Sequence, residues 1–277
     1  MPPRIPKASD LEGLKDDGLT FDLVLPNPPE STTAILILLH GLGDSHVPFT
    51  GFARGMSLPG VLAISVRGVS QLPAAILGDV FGASSGQATT GNWHYGDDIQ
   101  LDPSTVDLNP DPGFEKAIEL ILGRLIRDLL VLELGWDASD VLVFGFGQGG
   151  SLALGMAAKI VLGLASITGV RKIKEGEGET FATSQNKKLK GVVSIGGQLP
   201  ASCVSTVNNR GKCKTPVLLC ASRRDSSIGQ DAVEAVKNEF EDVRVERWNK
   251  NGDTMPSNRN EMLPIMRFFA ERLRSGW

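Results

Sequence analysis

Histidine is scarce in this chain of 277 residues, with only His40, His46 and His94, so nothing past residue 94 offers an imidazole. Cysteine is as sparse. Cys203, Cys213 and Cys220 stand apart from histidine and from any C-x-x-C spacing, which argues against a disulfide framework and a zinc site. Reduced thiols with Cys220 buried, no metal and no cofactor are the expectation. Lys and Arg are nowhere massed and the formal charge is −4, so neither a nucleic-acid footprint nor a polybasic anchor is present. No apolar run approaches the roughly 20 residues of a membrane span. The opening MPPRIPKASDLEG also lacks the apolar core of a signal peptide. A cytoplasmic protein with no integral membrane segment is expected.

What is present suits one large α/β domain over 1–277: 41% hydrophobic and 22% charged residues are enough for a buried core. Two stretches stand outside it, a flexible N-terminus over 1–17 and a charged, non-periodic surface insertion over 171–190. Leu19 to Leu25 reads as an edge strand. Ala34 to Leu39, AILILL, is the continuous apolar run of a strand covered on both faces. A helix through Phe49 to Met56 and a strand over Val61 to Val66 complete a βαβ unit, which implies parallel pairing.

From Leu77 to Pro112 the chain is loop-like apart from Trp93 and Tyr95. Phe114 to Leu134 then places Ile118, Leu122, Leu125, Leu129 and Leu132 at helical spacing and stops at Gly135. Val192 to Ile195, Val217 to Cys220 and Val243 to Trp248 supply further strands, with helices through Asp231 to Phe240 and Asn260 to Leu273. The fold class is α/β, a doubly wound and mostly parallel sheet with helices on both faces.

One stretch carries the chemistry. Val141 to Ser151, VLVFGFGQGGS, is a strand, a sharp turn and a helix, and Gly145, Gly147 and Gly149 occupy the positions of a G-x-S-x-G nucleophile elbow with glycine where its serine would be. Together with LLHGLGDS at Leu38 to Ser45, GNWHYGDD around Trp93 and GGQLP at Gly196 to Pro200, this stretch resembles the acyl-protein thioesterases and their phospholipase and carboxylesterase relatives, which are α/β-hydrolases.

The resemblance implies an ester or thioester hydrolase with a Ser, Asp, His triad and an apolar acyl groove. It places the vacated nucleophile at Gly147 and the oxyanion donors at the backbone N–H groups of Leu42 and Gln148, with Trp93 beside the ligand. Asp225 matches the aspartate loop, where it is either a retained acid or a surface ion pair. The family's histidine would fall among Asp253, Thr254, Met255 and Pro256, approximately at Thr254, and none of these is a good base for a hydroxyl.

Replacement constellations are few: Ser151 one turn past the elbow, Ser45 with His46, and His94 with Asp97 and Asp98. Two functional classes follow. One is an inactive or strongly impaired member that binds a small acyl or lipid-like ligand or a protein partner. The other is an active ester or thioester hydrolase with a non-standard nucleophile and base.

Overall fold

The computed structural model describes residues 3–73, 76, 91–100, 108–160, 188–204 and 211–274. The 171–190 insertion and most of the 77–112 loop fall largely outside them.

Seven strands form one sheet. They are β1 (Phe21–Val24), β2 (Ala34–Leu39), β3 (Val61–Val66), β6 (Val141–Phe146), β7 (Gly191–Ile195), β8 (Val217–Arg224) and β9 (Val243–Asn251), in the order β1-β3-β2-β6-β7-β8-β9. Only β1 runs antiparallel, against β3, and it lies at the edge as its sequence suggested. β2 and β6 are parallel neighbours at the centre, with Leu39 level with Gly145. Both are buried throughout but for Phe146, because each strand sends alternate side chains into opposite layers. Ile35, Ile37 and Leu39 join one core. Ala34, Leu36 and Leu38 join the other.

The first layer holds α1 (Glu12–Asp16), α3 (Glu115–Ile118, continuing as a wider-wound helix over Glu119–Glu133), α4 (Gln148–Ile160) and α5 (Gln230–Glu239). The second holds α2 (His46–Met56) and α6 (Arg259–Arg274). This is the doubly wound arrangement, and it places the β2 and β6 carboxyl ends side by side, where ligands of such sheets bind.

Two expectations need correction. The N-terminal segment is not a loose tail: Leu11 and Leu14 are buried in the first core. Arg4 N–H donates to Leu134 O at 2.8 Å and Trp136 Nε1–H to Arg4 O at 2.8 Å. The long helix buries the expected Ile118, Leu122, Leu125 and Leu129, but not Leu132. Its buried pairs are Ile121 and Leu122, Leu125 and Ile126, and Leu129 and Leu130, while Leu132 is 64% exposed. The reason is winding, since Leu134 N–H bonds Leu129 O, five residues back, and a wider turn carries Leu132 away from the sheet. Gly135 ends it at φ +78°, as read.

Candidate active site

The elbow is built by close backbone crossing. A Cβ at Gly145 would run into the Gly149 carbonyl, and one at Gly149 into the Leu39 and His40 carbonyls, so helix α4 can start directly against the ends of β2 and β6 only with glycine at both. Gly147 differs. It sits at φ +51°, the left-handed conformation of a nucleophile elbow, yet a Cβ there would meet only Gly41 Cα at 3.8 Å. The space a nucleophile would fill is open and holds no side chain. Gly147 N–H donates to Ile195 O at 2.8 Å and Ser151 N–H to Gly147 O at 3.0 Å, so the turn is anchored on both sides.

The turn after β2 lies against this position. The Phe146 ring packs over Gly41. Leu42 N–H and Gln148 N–H, the expected oxyanion donors, have no acceptor among the described residues. Gln148 N–H is also an unpaired donor at the α4 N-terminus, where the helix favours negative charge.

Trp93 and His94 form a short strand, β5 (Trp93–His94), paired with β4 (Ser70–Gln71). Its other edge receives the loop after β2: Gly43 N–H donates to Trp93 O at 3.0 Å and Trp93 N–H to Asp44 O at 3.2 Å. Tyr95 N–H then donates to Gln148 Oε1 at 2.8 Å, which ties the segment to the first residue of α4. Leu42, Gln148 and Trp93 are thus brought to one mouth.

Of the three histidines only His40 has both ring nitrogens engaged, while the unpartnered Nδ1 atoms of His46 and His94 are buried away from solvent. His40 is fully buried, its Nε2 accepts from Gly68 N–H at 2.8 Å, and its Nδ1–H therefore donates to Gly41 O at 2.7 Å. Burial pushes its pKa down to about 4. His94 donates Nε2–H to Gln71 O at 3.2 Å, and burial lowers its pKa. The His94, Asp97 and Asp98 cluster is dispersed, because the Asp97 carboxylate accepts from Glu115 N–H at 2.6 Å and Lys116 N–H at 3.1 Å at the start of α3. His46 Nε2 lies 3.8 Å from Asp22 Oδ1, and burial lowers its pKa also. Ser45 and Ser151 are buried.

On the other side of the elbow the acid and histidine loops meet, in a way the sequence did not signal. Asp225 follows β8 at φ +50° and is exposed. Asp253 is the embedded carboxylate: it accepts from Ser222 N–H at 2.7 Å, Ser227 N–H at 2.9 Å, and the hydroxyls of Ser226 and Ser227 at 2.9 and 3.0 Å. Its Cβ stands against Gly196, which follows β7 beside the elbow. Thr254 is exposed, and Met255 packs on the second core. Lys250 fixes that loop through the Thr254 and Met255 carbonyls at 3.0 and 3.2 Å and through Glu261 at 3.1 Å.

A cleft of about 700 Å³ lies at the opposite end of the strands, lined by residues including Leu36, Met56, Leu58, Val61 and Leu273. It includes none of the elbow residues.

Comparison with known proteins agrees with this geometry. A profile of the phospholipase/carboxylesterase family matches residues 22–171. An uncharacterized hydrolase of Schizosaccharomyces pombe is 29% identical over 240 residues, 86% of this chain and 83% of that protein. Among solved structures, acyl-protein thioesterase 2 of Zea mays superposes with a TM-score of 0.59 at 21% identity, covering 92% of this chain and 99% of its own. Esterase PE8 gives 0.58 at 18% identity, covering 91% and 98%. At such identities the structural likeness speaks for the shared fold.

Proposed function

We propose, starting from the fact that this chain belongs to the phospholipase/carboxylesterase family of α/β-hydrolases, that it has kept the acyl-binding frame of its relatives and lost their turnover. The observation that carries this reading is Gly147: an elbow at φ +51° with open space where the attacking oxygen would stand. Acyl transfer at such an elbow needs a nucleophile and a base within hydrogen-bond reach. Glycine supplies no nucleophile, His40 has both ring nitrogens engaged, and the Nδ1 atoms of His46 and His94 are buried away from solvent.

What remains is a pair of backbone donors, Leu42 N–H and Gln148 N–H, at a helix N-terminus. Two such donors hold a carbonyl or carboxylate oxygen without help from any side chain. The ligand is accordingly a small acyl or lipid-like molecule, with Trp93 flanking it. In the vacated machinery Asp225 keeps the acid's place and Thr254 marks that of the histidine, while Asp253 clamps the two loops. A cytoplasmic location is part of the same reading. Among the described residues no helix is long and apolar enough to cross a membrane.

The test combines labelling by a fluorophosphonate probe, turnover of a generic acyl ester, and binding of a short-chain acyl ligand by calorimetry. Binding without labelling or turnover is the expected result. Robust hydrolysis that survives Ser151→Ala would establish the alternative, an active hydrolase with an unrecognised nucleophile.

A further inference from the structure

Among the described residues around the mouth, Arg67 has an environment that neither the fold nor the elbow explains. It follows β3, level with His40 after β2 and with Phe146, the last residue of β6. Its backbone N–H is used, donating to Thr20 O at 2.8 Å. Its guanidinium lies over the Trp93 ring, 3.7 Å from the ring centroid, and the residue is half-buried. Nε is shielded from solvent without a hydrogen-bond partner, and no carboxylate pairs with the group among the described residues. A guanidinium has five donors, and burial without acceptors is unfavourable enough to lower its own pKa.

A second unpartnered atom lies nearby. His46 Nδ1 is buried with no partner, and His46 is close enough that Arg67 disfavours its protonation. Asp22, the carboxylate beside His46, is already engaged, accepting from Thr50 Oγ1 at 2.9 Å and lying 3.8 Å from His46 Nε2. Contact with the Trp93 ring holds the guanidinium in place, and a guanidinium so held is suited to bidentate recognition of a carboxylate or phosphate.

The position relative to the elbow sets the kind of ligand. Arg67 and Gly147 stand at the same carboxyl end of the sheet with β2 between their strands, so their backbones are roughly 10 Å apart by two strand spacings. One extended segment joins them, since Trp93 carries the guanidinium and Tyr95, two residues on, binds Gln148.

We infer that the site takes an anionic amphiphile: an acyl group whose oxygen meets the elbow donors and, one spacer away, a phosphate or carboxylate that completes Arg67. This rests on the acyl-binding reading above and adds the second charged group. A lysophospholipid-type phosphate and an acidic half-ester share that chemistry.

The experiment is titration calorimetry on the full chain with 1-octanoyl-glycerol-3-phosphate, mono-octyl succinate, the neutral 1-octanoylglycerol and inorganic phosphate. At least one anionic amphiphile should bind ten-fold or more tighter than the neutral one. That advantage should fall to two-fold or less in Arg67→Gln, with affinity for 1-octanoylglycerol unchanged. Arg67→Lys keeps charge without the planar fork, and should retain part of the advantage; it also serves if Arg67→Gln does not fold.

Equal binding of neutral and anionic amphiphiles, or an advantage that survives Arg67→Gln, overturns the inference and leaves the acyl-binding reading standing. Absence of binding by every amphiphile overturns both. Inorganic phosphate binding as tightly as the phosphate amphiphile, and lost in Arg67→Gln, refutes the two-group ligand in favour of a free anion.

Discussion

Serine at position 147 has room but no base, and the two consequences can be measured separately. A Cβ there meets only Gly41 Cα at 3.8 Å, an ordinary contact, so the cost of Gly147→Ser is that of holding a non-glycine residue at φ +51°. That is on the order of 1–2 kcal/mol. At about 2–4 °C per kcal/mol for a large domain, the melting temperature should fall by roughly 2–8 °C. Gly147→Ala should fall by the same amount, because backbone strain and not the hydroxyl sets the cost.

Gly145→Ala and Gly149→Ala are different in kind. Each drives a Cβ into backbone carbonyls that cannot rotate away, and should cost about 3 kcal/mol or more. Scanning calorimetry on the four variants reads the contrast, and acyl-ester turnover reads the chemistry. Gly147→Ser alone should stay near background, since His40 has both ring nitrogens engaged and the unpartnered Nδ1 of His94 is buried away from solvent. A Gly147→Ala variant as unstable as Gly145→Ala would refute the open-space argument. Vigorous turnover by Gly147→Ser would refute the missing base.

Three further outcomes are expected. His40 is neutral and buried, so the unfolded chain binds its proton first as pH falls. Stability is therefore full above about pH 6.5 and declines towards pH 4, by about 3 kcal/mol, with the lowered pKa values of His46 and His94 adding to the same slope. Urea midpoints at pH 7, 5.5 and 4.5 should show it, with a shallower slope in His40→Gln; a flat wild-type profile would contradict it. Asp253→Ala leaves Ser222 N–H and Ser227 N–H without their acceptor and should cost about 1–3 kcal/mol, with faster amide exchange over residues 222–227. Unchanged exchange there would remove its role as a clamp. Leu132→Gln should change stability by less than about 0.5 kcal/mol, whereas Leu130→Ala should cost about 2–5 kcal/mol; denaturant titration giving the reverse order would restore the narrower winding.

The elbow was legible because its demands are local: an apolar strand, then glycines where backbones cross, then a helix of small residues. The same holds for AILILL, whose unbroken apolarity needs cover on both faces. The wider winding of Glu119–Glu133 was not legible, because Leu132 and Leu130 are equally apolar and only the turn geometry decides which faces the sheet. The buried N-terminal Leu11 and Leu14 stand at a three-residue spacing on one helical face, a signal masked by the polar residues around them. Asp253 left none. Its partners come from the loop after β8, and nothing in the spacing of residues 222, 226, 227 and 253 says that a carboxylate closes on those donors. Arg67 and Trp93 likewise meet only once β3 and β5 are placed.

The crossing at Gly149 also bears on how the chain reaches this state. The carbonyls that wall it in belong to Leu39 and His40, and the sheet register that sets them there pairs residue 39 with residue 145, across a long stretch of intervening chain. No fragment holding the elbow alone can form this crossing, whatever its local propensity. Such non-local parallel pairing is slow, because loop closure must be met before any contact rewards it. Ligand competence should therefore appear late in refolding, after most helical signal has returned, and stopped-flow binding against far-ultraviolet dichroism would time the two.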